Sequence, residues 1–192
     1  MLDMITFTAR LSLRAIDEME GRCIRQHAPQ PGDAWAADYP FEGDLAAIGG
    51  FLRATEQNGE QRPFGYYQIR RQSDGLAIGG IGFMGPPDGN VVEIGYGLAP
   101  SARGHGYAAE AVVVLAQIAA ELGVSTIRAD TDVDNVASQR TLEHAGFPPD
   151  RRRLRALPLR GPNQPFTGVA VTSSHTVATL SRTRPGRQPR NP

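Results

Sequence analysis

The sequence predicts a mixed α/β (α+β) domain in which about four helices flank a central, mostly antiparallel sheet. Two observations lead to this fold class. In the first half of the chain, strand-like runs are joined by short turn signals, so neighbouring strands run antiparallel. In the second half, a strand, a long helix and another strand follow one another, and this crossover predicts one parallel pair. A chain of 192 residues is long enough for one such domain.

Each element is predicted from its local pattern. Ser73-Asp74-Gly75 is a turn signal between two strands, Asp44 is a candidate helix cap, and apolar residues at helical spacing end at Gly123. The predicted strands are 4–14, 64–71, 76–84, 91–98, 125–133 and 168–181. The predicted helices are 15–26, 44–57, 104–122 and 136–145. The parallel pair joins the strands 91–98 and 125–133.

Composition limits the classes of protein to consider. No run of ~18 apolar residues predicts a membrane span, and the N-terminus lacks the pattern of a signal peptide. The single Cys23 cannot form a disulfide within the chain, so we expect a cytoplasmic protein with no membrane partner. Residues 1–182 are predicted to form one domain. Residues 183–192, rich in Arg, Pro, Gly and Gln, are predicted to be a disordered tail.

Charge is unevenly distributed although the net charge is zero. All 20 basic residues are arginine, and residues 1–149 carry −8 whereas residues 150–192 carry +8. An acidic body favours a cationic substrate such as an amine, or is simply solvated surface. Arg151-Arg152-Arg153 is short and lacks interleaved aromatic residues, so we expect no nucleic acid partner. The histidines share no ligand spacing, and we expect no metal.

The connection between strand 91–98 and the long helix is the strongest candidate site. It reads Arg103-Gly104-His105-Gly106-Tyr107-Ala108. The first turn of a helix has N–H groups without partners and a partial positive charge, and two glycines let an anion approach the backbone. Arg103 adds a cation suited to phosphate oxygens. The pattern predicts a phosphate or pyrophosphate site.

The same glycines also match a dinucleotide fingerprint. Gly104, Gly106 and Ala109 have its spacing, and Asp130 is a candidate ribose ligand. Such a domain requires further parallel βα units after the fingerprint, whereas here an antiparallel meander precedes it. The topology therefore argues against nicotinamide binding. The chain contains no lysine, which excludes a P-loop kinase.

Two blocks of the sequence together resemble the GNAT superfamily of N-acetyltransferases. Residues 103–108 match the family's cofactor motif, Arg/Gln-x-x-Gly-x-Gly/Ala, and residues 135–147 match an Asn-x-x-Ser…Leu-x-x-x-Gly-Phe pattern. In this order and spacing they are similar to the branch that contains the ribosomal-protein N-terminal acetyltransferases. The resemblance covers about residues 64–147. It implies transfer of an acetyl group from acetyl-CoA to a primary amine by direct attack in a ternary complex.

The resemblance also assigns roles. In this family, the strand before the motif splays from its parallel neighbour, and the pantetheine arm of acetyl-CoA pairs with its free edge. Gly95 and Gly97 are suited to a bulge there, and Leu98 would donate an N–H to the thioester oxygen. Asn135 is also a plain helix cap, and Arg140 meets either a phosphate or solvent. The implied cofactor-binding residues are Leu98, Arg103, Gly104, His105, Gly106, Tyr107, Ala108, Ala109, Asn135, Ser138 and Arg140.

The chemistry requires a neutral amine, so a base has to remove a proton directly or through water. Glu93 is the candidate base, because it lies on the strand that precedes the motif. Glu110 is the alternative, although a carboxylate in a first helical turn also stabilises the helix dipole. Ser138 is the candidate donor to the departing thiolate, or an ordinary helix-surface hydroxyl. His105 is expected to space the loop rather than to act as a base.

Several matters stay open at the level of sequence. The acceptor amine is a protein N-terminus, an aminoglycoside, a polyamine or another small amine, and a homodimer is compatible with the sequence. A non-catalytic acyl-CoA-binding regulatory domain is the alternative function. Such a domain would keep the phosphate loop but would need neither Glu93 nor Ser138.

Overall fold

The structure is a computed structural model that describes residues 4–148 and 154–159. The strands in this part of the chain are β1 (Ile5–Phe7), β2 (Leu11–Ala15), β3 (Tyr66–Arg71), β4 (Ala77–Phe83), β5 (Val91–Leu98), β6 (Thr126–Asp130) and β7 (Leu154–Pro158). The helices are α1 (Glu18–Arg25), α2 (Glu42–Asn58), α3 (Tyr107–Glu121) and α4 (Val136–His144), with a 3-10 turn at Pro100–Ala102.

The strands form one sheet in chain order from β1 to β7. Neighbouring strands are antiparallel except for β5 and β6, which are parallel and are joined by α3. The predicted fold class, a mostly antiparallel sheet with one parallel pair and about four helices, is therefore confirmed. Among the helices of the described residues, none combines the length and the apolar character needed to cross a membrane.

The centre of the sheet is covered on both faces. Every residue of β4 is buried, and α3 contributes the buried side chains of Val112, Leu115 and Ile118 to the core. Alternate residues of β5 point to opposite faces. A Cβ at Gly97 would meet the Phe41 ring at the start of α2, whereas the Tyr96 hydroxyl contacts Ser138 on α4. Neighbouring residues of β5 thus contact the start of α2 and α4, respectively.

Several elements differ from the prediction. The strand expected over 4–14 is a hairpin of β1 and β2, because the Thr8 side chain and backbone bond to Leu11 and turn the chain. Helix α3 begins later than expected, at Tyr107, because Gly104 and Gly106 adopt positive φ. Strand β7 was not predicted. The predicted strand 168–181 and the predicted tail 183–192 lie outside the described residues.

Candidate active site

A cavity of about 1510 Å³ lies where α2, α3 and α4 meet the middle of the sheet. Its walls come from α2 and the residue before it, from β4 and β5, from the loop that opens α3, and from α4. The predicted site residues that line it are Leu98, Arg103, Gly104, Gly106, Tyr107, Ala108, Ala109, Asn135, Ser138 and Arg140. Two predicted residues, Glu93 and His105, are not part of this lining. The two sequence blocks are therefore brought together at one place.

Strand β5 presents a free backbone edge to this cavity. Its parallel pairing with β6 ends where Ile94 lies opposite Ala129, whereas β5 continues to Leu98. Within the described residues, no strand pairs with the β6 side of β5 beyond Ile94. On its other side, β5 stays in regular register with β4 from Ile94 to Leu98. The pairing thus ends before β5 does, which is compatible with the splay that the family resemblance implies, but the expected bulge at Gly95 and Gly97 is wrong.

The glycines of β4 and β5 serve close packing instead. Gly80 lies opposite Gly97 in the sheet. A Cβ added at Gly80 would lie 1.7 Å from the Tyr66 hydroxyl, and one at Gly97 would lie 2.6 Å from the Phe41 ring. Both distances are far shorter than van der Waals contact. The missing side chains therefore let two aromatic residues lie directly on the sheet.

The loop before α3 has the geometry of an anion site. Gly104 and Gly106 have φ of 80° and 78°, a left-handed conformation that favours glycine. Gly106 is the N-cap residue of α3 and has no side chain that could bond to the first turn. Tyr107, Ala108 and Ala109 of that turn line the cavity. Their helix-start N–H groups and partial positive charge are the features that bind phosphate groups in proteins.

Arg103, which was predicted to bind phosphate, contacts the end of β5. Its Nε donates to the carbonyl oxygen of Leu98 at 3.0 Å, and its guanidinium lies 5.4 Å from the centre of the Phe41 ring. The side chain thereby fixes the last residue of the free strand edge. It also brings a positive charge between the loop and α2.

A second arginine, which the sequence did not reveal, holds the start of α3. Arg10, in the turn between β1 and β2, donates to the carbonyl oxygen of His105 at 2.9 Å and lies 4.8 Å from the Tyr107 ring centre. It forms a 2.6 Å ion pair with the buried carboxylate of Glu110. The Thr8 hydroxyl also donates to Glu110. Glu110, the alternative base, is thus engaged in tying the hairpin to α3.

Helix α4 brings two hydroxyl groups together at the cavity. The Asn135 side chain caps the helix by accepting from the Ser138 N–H at 3.0 Å. The hydroxyl groups of Ser138 and Tyr96 are 2.8 Å apart, and the Tyr96 hydroxyl also donates to the Ser138 carbonyl. Arg140 is exposed and lines the cavity. Tyr96 was read from sequence only as part of the strand, because its contact with α4 depends on tertiary structure.

Glu93 lies beside the cavity rather than in it. Its exposed side chain borders a shallow groove of about 290 Å³ together with Arg128. Met84 and Gly85 line both this groove and the main cavity. Glu93 therefore lines the neighbouring groove, whereas most of the predicted cofactor-binding residues line the main cavity.

The cavity contains a buried carboxyl group that was predicted only as a cap. Asp44 is 2% exposed; it accepts from the Tyr66 hydroxyl at 3.1 Å and from the Phe41 N–H at 3.4 Å. Burial raises the pKa of Asp44 to about 7, although the Tyr66 hydroxyl, the Phe41 N–H and Arg103 act in the opposite direction. A sequence signal existed, because Asp44 precedes the buried Ile48 and Phe51 on one helical face.

Comparison with known proteins identifies the family of the chain. A family model described as an acetyltransferase (GNAT) domain matches residues 10–148. The chain is 32% identical over 146 residues to the uncharacterized N-acetyltransferase YjdG of Bacillus subtilis (strain 168), which covers 73% of this chain and 87% of that protein.

Solved structures share the fold at low identity. Mycobacterium smegmatis RimJ in complex with CoA-disulfide gives a TM-score of 0.53 at 18% identity, covering 82% of this chain and 86% of that one. The ribosomal-protein-S5-alanine acetyltransferase of Vibrio fischeri gives 0.54 at 15% identity, covering 81% and 97%. These likenesses support the described topology.

Proposed function

The chain belongs to the GNAT family of acetyltransferases and is an acetyl-CoA-dependent N-acetyltransferase; from that premise we propose which residues hold the acetyl donor and which act on the acceptor amine. One observation carries the assignment. The free edge of β5 ends at Leu98, beside the glycine-rich start of α3, and both border one cavity. The family model covers residues 10–148, and we propose that residues 1–182 form a single catalytic domain around this cavity.

The residues present fit acetyl-CoA. Its amide-containing arm suits the end of a strand that extends beyond its parallel partner, and its pyrophosphate suits the start of a helix opened by glycine. We assign the pyrophosphate to the backbone of residues 103–109, with Arg10 and Arg103 supplying positive charge and Arg140 facing a further phosphate. Asn135 holds the first turn of α4 beside the arm. Acetyl-CoA supplies the thioester, and the protein aligns it for attack.

Two groups act on charge that develops during the transfer. The N–H of Leu98 is assigned to the thioester oxygen, and Arg103 helps to hold this residue in place by donating to its carbonyl oxygen. The Ser138 hydroxyl is assigned as the proton donor to the leaving sulfur. Tyr96 supports this role because its hydroxyl lies 2.8 Å from that of Ser138 and can replace the donated proton.

Glu93 is the sequence-based proposal for the base. Its exposed position beside the cavity suits proton transfer through water to solvent. Glu110 is less suited, because Thr8 and Arg10 already donate to its oxygen atoms. A direct contact between the acceptor amine and a carboxylate has to come from elsewhere in the cavity.

The charges around the cavity narrow the acceptor class. The arginines that line it are Arg10, Arg53, Arg103 and Arg140. Among the described residues, the lining carboxylates are Asp44 and Glu110, and Glu110 is engaged by Arg10. A polyamine or an aminoglycoside would meet few partners for its several positive charges. We therefore propose an acceptor with a single reacting amine, such as the N-terminus of a peptide or protein.

The test is release of free thiol from acetyl-CoA by the purified protein in the presence of an amine panel. The panel contains peptides with N-terminal alanine or serine, a polyamine, an aminoglycoside and ethylamine. We expect transfer to a peptide or simple amine and confirm the product with labelled acetyl-CoA. Binding of acetyl-CoA without turnover on any amine would instead identify the non-catalytic regulatory domain.

A further inference from the structure

We propose that Asp44 is a catalytic residue of the acceptor side, which binds the ammonium form of the substrate amine and takes its proton. The inference rests on the proposed function and adds to it the group that receives the acceptor. The first observation is position: Asp44 lines the cavity from the first turn of α2 and is 2% exposed. Asp44 therefore borders the cavity while being largely shielded from bulk water.

Two hydrogen bonds place the Asp44 carboxylate over the reacting end of β5. Its partner Tyr66 has its hydroxyl against Gly80, and its other partner, Phe41, has its ring against Gly97. Gly80 and Gly97 face each other across β4 and β5. Leu98, which we assign to the thioester oxygen, is the next residue. Two chains of contacts therefore connect Asp44 to Gly80 and Gly97, next to the proposed reaction centre.

Capping of α2 does not account for this arrangement. A cap requires an acceptor for an N–H group, and a solvated side chain meets that need. Among the residues that the structure describes, the buried carboxylate accepts from two neutral donors and forms no ion pair, so no opposite charge compensates the loss of its hydration. Arg103 acts on Asp44 only at a distance. An ammonium ion in the cavity would supply the missing charge partner.

The surroundings give Asp44 the properties of a base. Burial raises its pKa to about 7, close to the pH at which proton transfer to and from a side chain is most effective. The titratable and charged groups that face it are Tyr66 from β3, Tyr39 from the loop before α2, and Arg103 from the loop after β5. Burial keeps both tyrosines neutral by raising their pKa. They therefore add no negative charge that would compete for the ammonium ion.

The proton balance is complete without another reactant. Asp44 takes one proton from the ammonium, and the neutral nitrogen forms a bond to the thioester carbon. When the carbon–sulfur bond breaks, the sulfur takes a proton from Ser138, and the nitrogen loses its second proton through the hydroxyl pair to restore that donor. Asp44 then releases its proton to solvent. The products are the acetamide, the CoA thiol and one proton.

The experiment compares two amines that differ in charge but not in size. At about pH 7.5 ethylamine is an ammonium ion, whereas 2,2,2-trifluoroethylamine is largely neutral and needs no base. We expect Asp44→Asn to lower transfer to ethylamine about 100-fold and to lower transfer to the fluorinated amine less than about tenfold. A purely structural role of Asp44 would reduce both rates equally and would overturn the proposal.

The controls separate Asp44 from its neighbours. Asn keeps an oxygen that accepts from the Phe41 N–H, so the helix start is preserved. Glu42→Gln removes an exposed carboxylate two residues away and should leave both rates unchanged. Glu93→Gln tests the competing base. If this substitution lowers transfer to ethylamine much more than transfer to the fluorinated amine, and Asp44→Asn does not, Glu93 takes the proton and the proposal fails. Tyr66→Phe removes a donor to the carboxylate and should move the acid limb of kcat upwards by about one pH unit.

Binding decides the matter even if neither amine is acetylated. Calorimetric titration with ethylammonium, with and without CoA, should show binding to the wild type and to Glu42→Gln, weakened at least about tenfold by Asp44→Asn. Equal binding by Asp44→Asn, or no binding by the wild type, would overturn the proposal. Failure of the wild type to bind CoA would instead refute the proposed cofactor site, while the titration without CoA still tests Asp44.

Discussion

The cofactor side and the acceptor side of the cavity are built from different parts of the chain. The cofactor side uses main-chain groups of two nearly consecutive segments, the free end of β5 and residues 103–109. The acceptor side uses side chains from separate elements, with Phe41 and Asp44 at the start of α2 and Tyr66 on β3. A site made of backbone requires glycine at fixed spacing and so leaves a pattern in the sequence. A site made of side chains from distant elements leaves none.

The largest expected effect is on the cofactor side. Gly106→Val places a branched side chain at φ 78° and obstructs the helix-start N–H groups. Loss of two charge-assisted hydrogen bonds at about 1.5 kcal/mol each corresponds to an increase of about 100-fold in KM for acetyl-CoA. Gly75→Val is the matched control, since Gly75 has φ 71° in a turn away from the cavity. It should lower the Tm and leave KM unchanged, and equal KM effects would refute a backbone-built site.

The second-largest expected effect concerns the proposed proton donor, Ser138. Ser138→Ala removes the proposed proton donor to sulfur and should lower kcat about tenfold or more, with little change in KM for acetyl-CoA. Tyr96→Phe should lower kcat less, because Ser138 keeps its own hydroxyl. Ser125→Ala, which removes an exposed hydroxyl that donates to the Asn90 carbonyl, serves as the control. Steady-state kinetics decide, and an unchanged kcat in Ser138→Ala would make this hydroxyl an ordinary surface group.

On the acceptor side, stability should depend on pH in a specific direction. The folded-state pKa of Asp44 is raised from 3.8 to about 7, so its stabilising contribution is full below about pH 4 and is lost as the pH rises to about 7. This difference corresponds to at most about 4 kcal/mol. We therefore expect Asp44→Asn to unfold roughly 4–10 °C above the wild type at about pH 8 and at a similar Tm near pH 4. The measurement is the Tm of the wild type, Asp44→Asn and Glu42→Gln across this pH range. If the pKa of Asp44 were not raised, the Tm difference between Asp44→Asn and the wild type would be the same at every pH.

The smallest effect concerns the tie between the β1–β2 hairpin and the cofactor side. Arg10→Ala leaves the buried Glu110 carboxylate without its cation, and because Arg10 is half exposed we expect a loss of only about 1 kcal/mol, or a Tm lower by roughly 2–4 °C. Adding Glu110→Gln removes the unpaired charge and should restore most of the Tm. KM for acetyl-CoA should rise about threefold in both variants if Arg10 faces phosphate. A double variant less stable than Arg10→Ala would contradict the ion pair.

The sequence was informative about the fold and about one half of the site. Turn signals and the strand–helix–strand crossover predicted the antiparallel neighbours and the parallel pair, and Arg103, Gly104, Gly106 and Ser138 all line the cavity. Arg10 and Tyr66 were not recognised, because nothing in their local sequence marks an arginine in a hairpin turn or a tyrosine in a strand as cavity residues. The role of Glu93 remains a prediction. Asp44 was read as a cap because its neighbours predict a helix start, while its burial depends on packing against β3.

The facing glycines of β4 and β5 have a consequence for how such an enzyme changes its substrate. Because Gly80 and Gly97 have no room for a side chain beneath Tyr66 and Phe41, the floor of the pocket is fixed in shape. A change in the preferred acceptor would therefore require substitutions in the opposite wall of the cavity, on one face of α2. A directed library confined to Ala46, Ala47, Gly50 and Ala54, which are small cavity-lining residues on that helix, would vary the acceptor without touching the groove for the acetyl donor.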